Sequence, residues 1–426
     1  MPRHPPPHTA RSLAVLALFL MFPPMLTYLR PDTSMGPGTA LACLIVLAAA
    51  APSLRLDLRR RLFLLNSGEF ALLALVVFAV FHFLVAAKLL PVDLWRFAGS
   101  VVVLLLMIAA ARLIRPLLFG PRVTRALLLM IRIMFVVALL GVGGIQPPGW
   151  ITFHKPVFPF TEPSHWTLAF LPLLMWACVT SRGWARSLYL TAALAVALAL
   201  QNLTLIVGTL IVASVYAPVT RLVLLGVAAA AVVVVVAPDL TYYTERIDFS
   251  EENTNLTAQV FLQGWGMAAQ AIIDTYGWGV GFQQSGINGP TVPISELIFA
   301  VQGFYSNLLD GGFVMAKLAS DFGVFALVPT AAYVRLMMRS FRQLRAAARD
   351  RLPRLDSGTL YAHAVVAMFS IEIFLRGLGG YLTSTVVLFL AAVLHLHRAP
   401  RAAAELSGRS VRAAGQSRRQ PVNMGN

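Results

Sequence analysis

Charge is scarce in this chain, and negative charge is scarcer still. Charged residues make up 12% of the sequence, with 18 Asp and Glu against 34 Lys and Arg. That fraction is about half of what a soluble domain carries, so most of the surface cannot face water. Only two cysteines occur, Cys43 and Cys178, both inside apolar runs, which excludes a disulfide framework and a cysteine-built metal site. HExxH, CxxC, GxSxG, DxD, GxGxxG and Walker spacings are all missing. No sequence motif of a zinc protease, a serine hydrolase or a metal-dependent nucleotide-sugar enzyme is therefore present, and no metal or other cofactor is expected.

Hydrocarbon fills the chain instead. Residues are 58% hydrophobic and the mean hydropathy is +0.75. Apolar runs of roughly 17–25 residues recur, each long enough to cross a bilayer as a helix. The expected fold is all-α, a polytopic transmembrane bundle forming a single integral membrane domain over residues 1–426. The first run, Ser12 to Leu29, is long for a signal peptide and has no small-x-small cleavage site, so it reads as a span.

The formal charge of +16 suggests nucleic acid until its distribution is read. Arginines cluster at 55–61, 112–125, 182–186, 335–354 and 398–419, in alternate loops. This positive-inside pattern orients the chain, with both termini cytoplasmic, and gives no reason to expect nucleic acid. Twelve spans follow: 12–29, 37–53, 67–89, 97–113, 126–145, 165–180, 187–200, 203–219, 221–237, 313–334, 358–375 and 381–397. The seventh and eighth are divided only by Gln201-Asn202. A hairpin there, rather than one long tilted helix, keeps Arg221 and the later arginine clusters inside.

Two outer segments exceed turns, 141–164 and 237–312, and a basic tail at 398–426 is expected to be disordered. The longer loop is too aromatic for a disordered linker, with Trp265, Tyr276, Trp278, Phe282 and Phe304 among others. "NTNLTAQVFLQGWGMAAQAIIDTYG" predicts a helix capped at 253–255 and stopped by Gly277, lying in the membrane interface. "ISELIFAVQGFYSNLL" predicts a second. Between them "YGWGVGFQQSGINGP" is a glycine-rich turn suited to close approach by a ligand.

The ionisable residues at the outer face are the candidates for chemistry. Arg246 is the one basic residue from Pro238 to Met315, among eight Asp and Glu. It either grips an anion, because guanidinium offers a fork of donors for phosphate, or pairs with Glu245, Asp248 or Glu251. Arg376 ends the eleventh span on the side that basic residues avoid, where an arginine costs roughly 2.5–3.5 kcal/mol to insert. Glu372, one turn earlier, is within reach as its partner; snorkelling to headgroups is the other reading. "FTEPSHWTLAF" opens the sixth span with Glu162, Pro163, Ser164 and His165. Ser164 or Thr161 can cap that helix. Glu162 either complements the positive helix end or, among Phe158, Phe160, Trp166 and Phe170, gains proton affinity and acts as a general base.

"FTEPSHWTLAFLPLL", "YYTERIDFSEENTN", "YGWGVGFQQ", "GGFVMAKLASDFGVFAL" and "IEIFLRGLGGYLTS" together resemble the O-antigen polymerase family, over roughly Phe158 to Ser384. The first five spans match only in hydropathy. The resemblance implies a glycosyltransferase of the bacterial inner membrane with a core like that of the GT-C polymerase and ligase superfamily. It implies an undecaprenyl-pyrophosphate-linked glycan as both donor and acceptor, no metal or nucleotide sugar, and a flippase and a chain-length regulator as partners. The product is O-antigen, capsule or exopolysaccharide. By matching position Arg246 and Arg376 hold the pyrophosphate; the acceptor hydroxyl must lose a proton, and the residues offer Glu162 as the base with His165 orienting it. Lys155, Trp278, Gln283, Gln284 and Tyr305 complete the substrate-binding set. Ligases of the same superfamily carry a histidine in the large loop; here that place reads Ser306-Asn307, which lowers the ligase reading. A flippase or transporter suits the many spans and Glu372, but no internal repeat is visible.

Overall fold

A computed structural model of the chain describes residues 7–30, 33–61, 67–147, 157–217, 244–246, 255–289, 291–349, 355–378 and 380–397, with positions 220, 227, 248 and 250. Among these residues the fold is helical, without a β-strand and with one isolated bridge, Val157 to Phe160. The helices are α1 (Pro7–Leu20), α2 (Phe22–Leu29), α3 (Met35–Arg61), α4 (Ser67–Ala86), α5 (Leu94–Leu118), α6 (Thr124–Val142), α7 (Pro163–Thr180), α8 (Trp184–Ala199) and α9 (Leu203–Ser214). After the long loop begins come α10 (Leu256–Asp274), α11 (Pro293–Gln302), α12 (Val314–Phe322), α13 (Leu327–Ala348), α14 (Ser357–Phe374) and α15 (Ser384–His397).

Six helical units are long and apolar enough to cross a membrane: His8–Leu29, Ser67–Ala86, Leu94–Leu118, Thr124–Val142, Val314–Ala348 and Ser357–Phe374. The chain is therefore a membrane protein, with fewer full-length spans among the described residues than the twelve expected. The expected spans at 187–200 and 203–219 are helices of 16 and 12 residues. At 1.5 Å per residue they measure about 24 and 18 Å, short of the hydrocarbon thickness. They do turn back on each other as a hairpin. Asn202 caps α9 by accepting from the Leu205 amide at 3.2 Å and ties it to α7 by donating to Thr167 Oγ1 at 2.7 Å. All but one position of the expected span 221–237 lies outside the described residues, as do Lys155 and the tail 398–426.

Two expected spans are interrupted. The first breaks at Met21, where Pro23 and Pro24 open α2 without amide hydrogens to continue α1. The tenth passes through a 3₁₀ turn, Gly323–Ala326, between α12 and α13. The glycine-rich turn explains that break. Its backbone runs against the end of α12, with Val280 N donating to Ser320 O at 3.0 Å and Gly281 N to Asp321 O at 2.9 Å. The turn thus approaches the chain itself rather than a ligand.

At the centre, α7 and α14 are buried almost all round, Trp166 through Val179 and Gly358 through Phe369. Neither has a polar face, as expected of helices surrounded by others. They pack together antiparallel, which puts the start of α7 beside the end of α14.

The long loop folds onto this core. Asn255 caps α10 by accepting from the Thr257 amide at 3.0 Å, and Gly277 lies just beyond its end, as predicted. Its apolar face does not lie on lipid, however. Val260, Gln263, Gly264, Met267 and Ala271 are buried as α10 packs on α12. α11 stops at Gly303, which has φ +77°, so "FYSNLL" is not helical, and Leu297, Phe299 and Val301 stay exposed.

Gly279 has φ +91°, and a Cβ there would sit 2.7 Å from Asp321 O. The G279A substitution is expected to destabilise the folded protein by about 2 kcal/mol or more, through left-handed strain plus the clash. A thermal-unfolding midpoint equal to wild type in lipid nanodiscs would contradict this packing.

Candidate functional site

The antiparallel pair α7 and α14 builds the first half of the site. Glu162 is the N-cap residue of α7, yet its side chain makes no capping bond. Its Oε2 instead accepts from Arg376 Nη2 at 2.5 Å and from Ser164 Oγ at 2.9 Å. Thr161 Oγ1 lies 3.1 Å from His165 Nδ1. The expected caps, Ser164 and Thr161, are thus spent on orienting Glu162 and His165. Glu372 is not the partner of Arg376: it turns to Thr383 and Thr385, and the ion pair joins residues 214 positions apart.

This pairing corrects one expectation of the sequence. Apolar neighbours do penalise the charged form of Glu162, but the Arg376 guanidinium outweighs them and pulls its pKa down to about 2. His165 and the Ser164 hydroxyl act in the same direction. Glu162 is an anchored anion here and a weak base while the pair holds.

The second half is a cavity of about 250 Å³. Arg376 and Arg246 both line it, although they come from opposite ends of the candidate region. Its other walls are mainly apolar: Leu203 and Val207 from α9, Val260 and Phe261 from α10, Phe313, and Leu375. Thr204 and Thr257 add hydroxyls. Arg376 Nε is buried with no hydrogen-bond partner among the described residues. Gly377 N donates to Gly312 O at 3.1 Å, fixing the backbone just past Arg376 against the cavity wall. Two guanidiniums on a largely apolar cavity can hold an anion that carries a hydrocarbon tail.

The remaining candidates lie elsewhere. Trp278 stacks on His82 with ring centroids 4.9 Å apart, and its indole donates to His82 O at 3.2 Å. Gln283 is buried; its amide donates to Asp321 Oδ2 at 2.9 Å and its carbonyl accepts from Arg96 Nε at 2.8 Å. Gln284 exchanges hydrogen bonds with the Asp93 backbone at 2.7 and 3.2 Å. These three lock the glycine-rich turn to α4 and α5 and do not line the cavity. Tyr305 is exposed, donating to Glu296 at 3.1 Å.

Lys317 and Asp321, both fully buried, were given no role from the sequence. Lys317 Nζ donates to Leu309 O at 2.6 Å and lies 3.9 Å from Asp321 Oδ2. Asp321 also accepts the Gln283 and Ser285 amides. The pair therefore pins two loops, one of which runs on to Gly312 and Phe313 in the cavity wall. A lysine and an aspartate four apart inside an apolar run were the available signal. Comparison of the chain with protein-family profiles, with curated proteins and with solved structures finds no match.

Because the folded pKa of Glu162 lies below its unfolded value of 4.5, the pair stabilises above pH 4.5 and is lost only as pH falls through about 2. The side chain is 47% exposed, so solvent screening limits the gain to about 1 kcal/mol. Wild type should therefore exceed E162Q in unfolding midpoint by the same margin at pH 8 and pH 5. No margin at either pH would identify an ordinary, unpaired carboxylate, and a margin that falls as the pH rises from 5 to 8 would identify one with raised proton affinity.

Proposed function

We propose that the chain is a metal-independent glycosyltransferase that polymerises lipid-diphosphate-linked oligosaccharide repeat units at the outer face of a bacterial inner membrane. The observation that carries this reading is the shared cavity of Arg246 and Arg376 with its apolar walls. A polyprenyl diphosphate needs both features, cationic forks for the phosphates and hydrocarbon for the tail. The O-antigen polymerase resemblance, stated from "FTEPSHW" and "IEIFLRGLGG", supplies the glycan and the direction of transfer.

In this reading the two guanidiniums neutralise the charge that develops on the leaving diphosphate as the sugar–phosphate bond breaks. The acceptor hydroxyl of the next repeat unit attacks the anomeric carbon and gives up its proton. Glu162 becomes a competent base only when the incoming diphosphate competes for Arg376, since removing that cation restores the carboxylate's proton affinity. His165, held by Thr161, lies next to that carboxylate and orients it. Substrate binding and base activation are then one event.

In a deletion strain complemented with R246A or R376A, chain elongation should fall by roughly 10²- to 10³-fold, as when a donor to a developing anion is removed. Electrophoresis of surface glycan should then show single repeat units in place of the ladder. Complete loss of attached glycan would move the reading to a ligase. An unchanged ladder from both variants would overturn it.

A further inference from the structure

Among the described residues three carboxylates are buried to 3% exposure or less: Glu69, Asp321 and Glu372. Two of them are answered by a cation of the protein. Arg112 Nε lies 3.3 Å from Glu69, and Lys317 Nζ lies 3.9 Å from Asp321. Glu372 faces no Lys, Arg or His within ion-pair distance among the described residues. A carboxylate left so, inside a membrane-spanning helix, needs a positive charge from outside the chain.

The surroundings are shaped for a small one. Thr383 Oγ1 and Thr385 Oγ1 lie 3.2 and 2.8 Å from Glu372 Oε1, and the two hydroxyls are 2.8 Å apart. The three oxygens make three short contacts, but the hydroxyls bring only two protons, so one contact lacks a hydrogen. A cavity of about 20 Å³, room for roughly one water, adjoins Glu372 and Thr385. Its other lining includes Leu20, Leu168, Pro172 and Leu388, none of which carries charge. Tyr333, from α13, is committed to Val366 O at 3.1 Å, and Arg376 further along the chain is committed to Glu162.

We propose that Glu372, Thr383 and Thr385 form a binding site for one hard monovalent cation, a proton or a sodium ion. All the ligand atoms are oxygens, which suits such an ion and not a softer metal. Bound, the ion completes the ring of contacts that ties the start of α15 to α14, one helical turn before Arg376. The site stands independently of the polymerase reading.

The test uses the full-length protein in lipid nanodiscs, the apolar carboxyl reagent dicyclohexylcarbodiimide, and peptide mass spectrometry. The reagent adds to a neutral carboxylic acid and spares an ion-paired carboxylate. In sodium-free buffer Glu372 should be modified at least about tenfold faster than Glu69, which has its arginine, and more slowly as the pH is raised. Slowing by sodium chloride, relative to choline chloride, assigns a sodium site; equal rates in the two salts assign a proton site. Infrared difference spectra of wild type minus E372Q provide a readout that does not depend on reagent access. A neutral carboxyl band or a sodium-sensitive carboxylate band supports the site. Equal labelling of Glu372 and Glu69, or no labelling together with no such band, would overturn it.

Discussion

A carboxylate taken into an apolar interior must be met by a cation or by several donors, because the low dielectric multiplies the cost of leaving it alone. Much of this fold can be understood from how that demand is met. Glu69 and Arg112 join α4 to α5. Asp321 collects Lys317 and two backbone amides, and in doing so pins the glycine-rich turn to the interrupted helix at 323–326. Glu162 and Arg376 join α7 to the segment after α14. Glu372 meets only two hydroxyls, whose two protons leave one of the three short contacts without a hydrogen.

In the proposed function the Glu162–Arg376 pair matters most, because among the described residues it is the least buried of the three ion pairs. The Glu162 side chain is 47% exposed and that of Arg376 21%, and Arg376 also lines a cavity large enough for a ligand. The fully buried Lys317–Asp321 pair has no such access and holds structure, and Glu69 of the third pair is 3% exposed. A charge pair placed half in solvent and half in a cavity can be exchanged, so an anion that binds there changes the protonation chemistry of Glu162 as it arrives.

Much of this was legible in the sequence for identifiable reasons. Composition and the length of the apolar runs gave the membrane class, since hydropathy is a property of segments and needs no tertiary knowledge. The caps and stops of α10 were legible because Asn255 and Gly277 act locally. Arg246 stood out as the one basic residue from Pro238 to Met315 among eight Asp and Glu, and Arg376 as an arginine at the end of an apolar run. The rest depended on contacts across the fold. Glu372 is one turn from Arg376 in sequence, yet the true partner is 214 residues away. The proton affinity of Glu162 follows the same pattern: its aromatic neighbours are local in sequence and the arginine that lowers it is not. The glycine-rich turn looked like a ligand cradle because glycine reports close approach without saying to what, and here it is Asp321 and Gly323.

The account rests on Arg246 and Arg376 presenting their charge to one tailed anion. The most direct measurement is equilibrium binding to the purified protein in nanodiscs, comparing a polyprenyl diphosphate with the same polyprenyl alcohol and with inorganic diphosphate. The account predicts that the polyprenyl diphosphate binds tightest, and that R246Q and R376Q each bring it towards the affinity of the alcohol. Equal affinity for diphosphate and alcohol in the wild type, or an unchanged preference in either variant, would contradict it.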